Sequence, residues 1–341
     1  MDSYVEALIE EIGSSKRKEV SSIFIGGGTP SLLSTNHLKN IVDKLKGAYN
    51  LTNDTEITIE ANPGTLSIKF LEQIKEIGIN RLSIGIQSFN NSELEFLQRI
   101  HDSNTAEQSI NNARKAGFEN ISIDLIFSIP SQTKDSWAYS LEKAISYDIE
   151  HISCYSLTYE QGTPLYNMFR SGKVRKQSDD MDAEMFEYAI DILNKNGFIH
   201  YEVSNYAKPG KECKHNLNYW NGGTYSGFGS AAHSFDGRTR YWNIRSVDKY
   251  VDMVNNAGNA LAGQELLTDE NKLEETVFLS IRCGNLPISR ITNNPPDKLL
   301  NELKMMEKHG YITFNNDVIR LTKKGFLLAD DIALRILAFF E

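Results

Sequence analysis

The stretch SSIFIGGGTPSLL at residues 21–33 decides the fold, because it joins an apolar run to a glycine-rich turn. The β-branched and aromatic residues of its first part predict a strand over 21–25. The three glycines that follow let a backbone pass close to a ligand and leave amide groups free to bind its oxygens. The turn is neither the dinucleotide-binding GxGxxG pattern nor a P-loop, since it lacks the P-loop lysine. A tight turn without any ligand fits it equally well.

The same order of strand and helix recurs along the chain. Apolar runs predict strands at 21–25, 56–60, 81–86, 121–126, 151–157 and 198–203, and amphipathic patterns predict helices at 36–47, 67–77, 91–98, 104–116, 135–146 and 180–196. Several strands are apolar on both faces, as is typical of a parallel sheet covered by helices. The alternation therefore predicts an α/β fold with a parallel sheet. A full or partial β/α barrel and a doubly wound sheet both fit this pattern.

Two further regions follow the alternating part at 1–203. Residues 204–267 are rich in Gly, Asn, Tyr and Trp, and this aromatic content argues against disorder in so long a connection. Residues 268–341 predict two helices, a hairpin that turns at Asn315–Asn316, and a final helix. This order resembles a winged helix, but the balanced charges of the segment disfavour DNA binding.

Composition excludes several classes of protein. The 341 residues carry a net charge of −9, which is opposite to what general nucleic-acid binding requires. Cys154, Cys213 and Cys283 stand far apart, so they predict neither a disulfide framework nor a close-spaced metal site. The sequence shows no apolar run of membrane-spanning length and no signal-peptide pattern in its first residues. We therefore expect a cytoplasmic protein.

Polar side chains mark the ends of the predicted strands. Glu60 ends one strand, Gln87 follows another, and Asp124 interrupts a third. Because the carboxyl ends of parallel strands lie on one edge of a sheet, we expect these side chains and the GGGTP turn to converge on one pocket. A buried Asp124 needs a partner, and Arg99 is the candidate. For each residue alone, a solvated strand end or a helix cap is the simpler interpretation.

A second candidate site lies in the stretch CKHNLNYW at residues 213–220. Histidine is a frequent ligand of metals and of haem iron. Around His215 the sequence supplies aromatic residues that could line a flat apolar ligand: Tyr206, Tyr219, Trp220, Tyr225 and Phe228. The residues alone favour a histidine that packs in a loop.

Taken together, several stretches resemble the radical S-adenosylmethionine (SAM) proteins of the HemN/HemW group, which includes the oxygen-independent coproporphyrinogen III oxidases. The matching stretches are IFIGGGTPSLL, ITIEANPGTL, RLSIGIQSFNNSELEFLQRIHD, ISIDLIFSIPSQT, CYSLTYEQGTPLY and HNLNYW, in the family order. HNLNYW is similar to the HNxxYW signature of the haem chaperones in this group, which the oxidases lack. The resemblance therefore implies a protein that binds haem and passes it to an acceptor. An oxidase-like radical SAM enzyme is the alternative.

The resemblance also implies roles for individual residues. Under it, His215 is the haem-iron ligand, and Asn216, Tyr219 and Trp220 shape the haem site. The SAM contacts would come from Gly27, Gly28, Thr29, Glu60, Gln87, Arg99 and Asp124. The implied fold is a partial (β/α)6-type radical SAM barrel lacking its first strand, followed by a winged-helix-like α+β domain.

The sequence departs from the family at the iron–sulfur cluster. The family holds a four-iron–four-sulfur cluster through a CxxxCxxC segment after its first barrel strand, and this sequence contains neither. Its three isolated cysteines cannot replace that segment, because such clusters need closely grouped thiolates. A truncated chain, a misassigned start and a natural variant are three interpretations, and we expect the cluster only in a full-length form. Ser128 also stands where the family usually has glycine.

Partners follow from the same resemblance. It implies a haem-accepting protein, which the sequence does not name, and leaves peripheral contact with membrane haemoproteins and the oligomeric state open. No nucleic-acid partner is expected. A third hypothesis is a binding or regulatory module that uses the winged-helix-like tail at 268–341.

Overall fold

The computed structural model describes residues 1–13 and 19–340. At its centre is a seven-stranded sheet with the strand order β1-β2-β3-β4-β5-β7-β6. The strands are Ser22–Ile25 (β1), Glu56–Ala61 (β2), Arg81–Gln87 (β3), Ile121–Phe127 (β4), His151–Ser156 (β5), Ile199–Glu202 (β6) and Asn205–Ala207 (β7). Strands β1 to β5 run parallel, which confirms the predicted α/β sheet.

The sequence pattern did not predict strand β7, which has only three residues. It lies between β5 and β6 and is antiparallel to both. The predicted parallel pairing is therefore wrong for the last predicted strand, at 198–203. This strand joins the sheet by pairing antiparallel with β7. Three residues carry too little periodicity to be recognised as a strand.

Helices follow the strands in the predicted order. They are Asp2–Gly13 (α1), Thr35–Ala48 (α2), Ile68–Ile77 (α3), Asn91–Phe96 (α4), Ser103–Lys115 (α5), Lys134–Ser146 (α6), Pro164–Arg170 (α7), Asp179–Lys195 (α8), Lys214–Trp220 (α9), Val247–Ala257 (α10), Asp269–Arg282 (α11), Asp297–Lys308 (α12), Lys323–Phe326 (α13) and Ala329–Leu337 (α14). Local capping sets many of the starts, since Ser34, Ser67 and Asp102 each accept a hydrogen bond from a backbone N–H three residues on. Gly78 ends α3 in the left-handed region, at φ 109°.

The two faces of the central sheet differ in chemistry, because successive residues of a strand point to opposite sides. The outer face packs into one apolar core with the helices, through residues that include Ile59, Leu71, Leu82, Ile84, Ile110, Ile123 and Leu141. The inner face carries two rows of side chains in register, first Phe24, Thr58 and Arg81, then Glu60, Ser83, Ser122 and His151. This polar inner face is where a ligand site can form.

The region after the central sheet forms a second, antiparallel sheet that the sequence pattern did not predict. Its strands are His233–Phe235 (β8), Thr239–Asn243 (β9) and Leu261–Leu266 (β10), in the order β10-β9-β8. Helix α1 is joined to this region by a buried carboxylate, since Glu11 accepts hydrogen bonds from the Gly229 N–H and the Tyr250 hydroxyl. The aromatic content of the region thus belongs to an ordered layer.

The C-terminal part contains the predicted helices and hairpin around a core of its own. A third sheet, in the order β11-β13-β12, is formed by Asn285–Pro287 (β11), Ile312–Asn315 (β12) and Val318–Leu321 (β13). The hairpin turns at Asn316 and Asp317, both with positive φ, one residue later than predicted. The final helix is broken into α13 and α14. Among the described residues, no helix has the length and apolar character that a bilayer crossing requires.

Candidate functional site

The glycine-rich turn after β1 closes against the end of β2. The Gly27 N–H donates a hydrogen bond to Glu60 Oε2 at 3.2 Å. Gly27 has φ 109°, a conformation that side chains disfavour. A Cβ added at Gly26 would lie 2.9 Å from the Phe24 ring and 3.1 Å from Glu60 Oε2. The turn therefore needs glycine at both positions. Gly27 is required for its backbone angle, and Gly26 is required because a side chain there would have no space.

A chain of hydrogen bonds continues from this turn along the carboxyl edge of the sheet. Asn62 Nδ2 donates to Thr29 Oγ1 at 3.2 Å, and Arg99 Nη2 donates to Asn62 Oδ1 at 2.8 Å. Gln87 reaches the same place, because a Cβ added at Gly85 would meet Gln87 Nε2 at 2.9 Å and Arg99 Nη2 at 3.5 Å. The structure thus brings the predicted strand-end residues together. Asn62 was missed, although its place two residues after Glu60 could have indicated it.

Two carboxyl groups, those of Glu60 and Asp124, influence each other electrostatically at this edge. Burial raises the pKa of Asp124, and hydrogen bonding to Ser153 and the charges of Arg81 and Arg99 oppose the rise. Burial also raises the pKa of Glu60, the Gly27 hydrogen bond lowers it, and the charge of Asp124 raises it further. The expected pairing of Asp124 with Arg99 is an attraction at a distance, since the hydrogen bond from Arg99 goes to Asn62. Carboxylates that can still pair with a positive charge or accept hydrogen bonds are able to bind a cation or the hydroxyl groups of a ligand.

The second candidate site lies at the opposite, amino end of the strands. Helix α9 begins there, directly after the buried Cys213. Glu56, the first residue of β2, accepts hydrogen bonds from the backbone N–H groups of Lys214 at 3.3 Å and His215 at 3.4 Å. Arg81 Nε lies 4.0 Å from Glu56 Oε2. The helix that carries His215 is therefore anchored to the starts of β2 and β3.

The His215 ring packs between two aromatic rings. It stacks on Phe24 with a centroid distance of 4.7 Å and an interplanar angle of 19°. Tyr219 meets it edge-on at 4.8 Å, as residues four apart on a helix can do, and Tyr225 packs on Tyr219 at 4.5 Å. Both i and i+4 positions of α9 thus contribute to one aromatic cluster.

The ring of the half-buried His215 differs in its surroundings from the rings of His101, His151 and His200. Burial and the nearby charge of Arg81 lower the pKa of His215 to about 4, so the ring is neutral at pH 7. His101, His151 and His200 each make a ring hydrogen bond. Within the described chain, no hydrogen-bond partner is found for the His215 ring nitrogens. A neutral imidazole with a free lone pair is the form that binds a metal.

Other residues of the predicted haem site differ in their placement. Asn216 and Trp220 lie on α9 beside the His215 face, and neither has a hydrogen bond or ring contact to the His215 ring among the described residues. Tyr206 does not line the site, because it is fully buried and stacks on His200 at 4.5 Å. Phe228 packs on Tyr49 instead. Aromatic content alone did not show which rings face His215.

The cysteines do not form a cluster site. Cys154 and Cys213 are buried, and Cys283 is partly buried. Burial raises the pKa of Cys213 to about 11 and that of Cys283 to about 12, which opposes the thiolate form that iron requires. Among residues 1–13 and 19–340, no group of three or more His, Cys, Asp or Glu side chains is arranged to hold a metal ion. These residues therefore do not fit an iron–sulfur cluster.

Comparisons with known proteins agree with this layout. The model of the radical SAM superfamily matches residues 3–144, and the model of the HemN C-terminal domain matches residues 267–328. The chain is 36% identical to the heme chaperone HemW of Bacillus subtilis, over 97% of this chain and 90% of that protein. It is also 36% identical to the heme chaperone HemW of Lactococcus lactis, over 97% of this chain and 88% of that protein.

The fold also has a counterpart among solved structures. The radical SAM enzyme coproporphyrinogen III oxidase (HemN) from Escherichia coli superposes with a TM-score of 0.82, covering 99% of this chain and 83% of that one. The sequences are 24% identical in this comparison, so the similarity shows the fold alone. It supports a radical SAM sheet followed by a smaller C-terminal domain.

Proposed function

Because the chain belongs to the HemW family of radical SAM proteins, we propose that it is a haem chaperone that binds haem through His215 and passes it to an acceptor protein. One observation carries the assignment to His215. Its ring is neutral, stacked on Phe24, and without a hydrogen-bond partner in the described chain. Haem iron needs such a free nitrogen, and the flat tetrapyrrole suits the flanking aromatic rings.

The carboxyl edge is the proposed SAM site. The amide groups and hydroxyl of Gly27, Gly28 and Thr29 suit the carboxylate of SAM, and Glu60 and Asp124 suit its positive charges and ribose hydroxyls. Gln87 and Arg99 supply further donors at the same edge. When bound, SAM supplies a sulfonium group that can be cleaved reductively. The described residues provide no iron–sulfur ligands for that cleavage, so we assign them only the binding of SAM.

The enzymatic alternative has less support. Its structural basis is the similarity to coproporphyrinogen III oxidase, which extends to the fold only. The relatives that match most of the chain at 36% identity are heme chaperones by name. We therefore keep the chaperone as the proposed function.

A haem titration tests the proposal. We expect the purified chain to bind haem with a Soret band typical of histidine ligation, and His215→Ala to weaken binding at least 100-fold, because the variant loses the iron ligand. His233→Ala is the matched control, since His233 is an exposed histidine that stacks on Trp242 in the same region. Wild-type affinity in His215→Ala would contradict the proposal.

A further inference from the structure

We infer that Glu56 is a positioning residue for His215, acting as the amino-terminal cap of helix α9 from a distant strand. The inference rests on the proposed function, because that function makes His215 on helix α9 the ligand of the haem iron. Glu56 belongs to neither candidate set that the sequence pattern or the family resemblance supplied. Its role follows from three contacts of 3.3–3.5 Å that converge on one carboxylate.

Helix α9 has no capping side chain at the residue that precedes it. The first N–H groups of any helix lack partners within the helix, and Ser, Thr, Asp or Asn at the preceding position usually satisfies one of them. Helix α9 is preceded by Cys213, whose side chain makes no capping hydrogen bond. Helices α3, α6 and α8, by comparison, are capped by Ser67, Thr133 and Ser178. A sequence that places cysteine here needs another acceptor.

Glu56 supplies that acceptor. Its Oε2 accepts from the Lys214 N–H at 3.3 Å, and its Oε1 accepts from the His215 N–H at 3.4 Å. The Cys213 thiol lies 3.5 Å from Oε1, 157 residues away in the chain. A negative charge at the amino end of a helix is also favoured by the helix dipole. The backbone of the proposed iron ligand is thus held directly by this carboxylate.

The carboxylate is itself fixed by the sheet. Glu56 is 6% exposed and starts β2, and Arg81 is 2% exposed and starts the neighbouring β3. Their side chains are 4.0 Å apart, and Arg81 Nε has no hydrogen-bond partner in the described chain. The buried guanidinium lies beside the Glu56 carboxyl group and helps to hold it in place. Sheet, carboxylate and helix therefore set the position of His215 relative to Phe24.

Haem binding by Glu56 variants of the full chain tests this role. We expect Glu56→Ala to weaken haem binding about five- to ten-fold, the factor that loss of a helix cap is worth, and to change the Soret and electron-paramagnetic-resonance signatures of the iron. Glu56→Gln keeps one acceptor oxygen, so it should restore most of the affinity. Glu93→Gln is the matched control, because Glu93 is 5% exposed and accepts from Ser88, Gln132 and Ser136 away from α9.

The outcomes separate this inference from the proposed function. If His215→Ala loses haem while Glu56→Ala keeps the wild-type affinity and spectra, the positioning role is wrong and the haem site stands. If His215→Ala keeps haem, the proposed function fails first. Should Glu56→Ala not fold, Glu56→Gln decides. About three-fold weaker binding with shifted spectra supports the role, and wild-type affinity together with wild-type spectra in Glu56→Gln overturns it.

Discussion

Glu60 and Glu56 lie on the same face of the same strand, four residues and about 13 Å apart, yet they belong to different kinds of site. Glu60 faces a turn that directly follows the neighbouring strand, and its partner is the Gly27 amide. Glu56 faces a helix from the region after the sheet, and its partners are Lys214 and His215. One end of the strand is built by local connections, and the other by a segment that returns from far along the chain.

The two ends also meet at a single side chain. The Phe24 ring stacks on His215, and it also lies beside the position of Gly26 that contacts Glu60. The carboxyl edge and the amino end are therefore adjacent parts of one inner face. The difference between them is in how they are held: hydrogen bonds between strand ends at the carboxyl edge, and a buried ion pair at the amino end.

Substitution of two arginines, one at each end, tests that difference and should give the largest change in the free energy of unfolding. Arg81→Met should lower the free energy of unfolding by about 3 kcal/mol, because it leaves the buried Glu56 without its counter-charge. Arg99→Met at the carboxyl edge should cost only about 1 kcal/mol, since Arg99 donates its hydrogen bond to the neutral Asn62 and is attracted by Asp124 only at a distance. Urea denaturation of both variants measures the two values. Equal losses would show that the two ends are not held differently.

The position of residues along the carboxyl edge could be predicted from the sequence. Glu60, Gln87 and Asp124 each belong to a strand of the predicted parallel sheet, so strand prediction alone predicts that they lie on one side of it. The amino end depends on contacts between residues 56 and 213–215, which no local pattern encodes. Glu56 resembles any charged residue at a strand start, and Arg81 does the same. The family resemblance indicated His215, but not what holds it.

The second antiparallel sheet was missed for a related reason. Strand β8 has three residues and β10 is largely exposed, so neither shows the alternation that predicts a strand. The sequence offers Tyr206 as one of the rings that could line a flat apolar ligand near His215, because aromatic residues cluster there. The structure places it in β7, fully buried against His200. Composition predicts that rings will pack, whereas the fold decides which rings meet.

A third carboxyl group, that of Glu202, should make the stability of the protein depend on pH. Burial raises the pKa of Glu202 to about 7, whereas an exposed glutamate titrates near 4.5. The folded state therefore binds the proton more tightly than the unfolded state, and this contribution is full below pH 4.5 and is lost as the pH rises through 7. Between pH 5 and 7 we expect the free energy of unfolding to fall by about 2 kcal/mol from this group. Glu202→Gln should remove that part of the slope in urea titrations, and an unchanged slope would assign it elsewhere.

The shared ring at Phe24 gives a smaller effect. Phe24→Leu should weaken haem binding about three- to ten-fold, because stacking between rings is worth about 0.5–1.5 kcal/mol. Phe89→Leu removes a ring that stacks on Tyr147 in another part of the protein, and it should leave haem affinity unchanged. Titration of both variants with haem measures the difference. The same loss in both would mean that ring removal acts through general stability.

The smallest expected change in stability comes from two glycine variants. They distinguish the need for a particular backbone angle in the glycine-rich turn from the need for space there. A Cβ at Gly27 or at Gly28 would meet no described atom within 4 Å, but only Gly27 has a positive φ, at 109°. Gly27→Ala should therefore lower the free energy of unfolding by about 1 kcal/mol, because alanine is strained in that region. Gly28→Ala should be close to neutral, since space and backbone angle both permit it. Thermal unfolding of the two variants compares them directly, and equal changes would show that the Gly27–Glu60 contact does not depend on the left-handed turn.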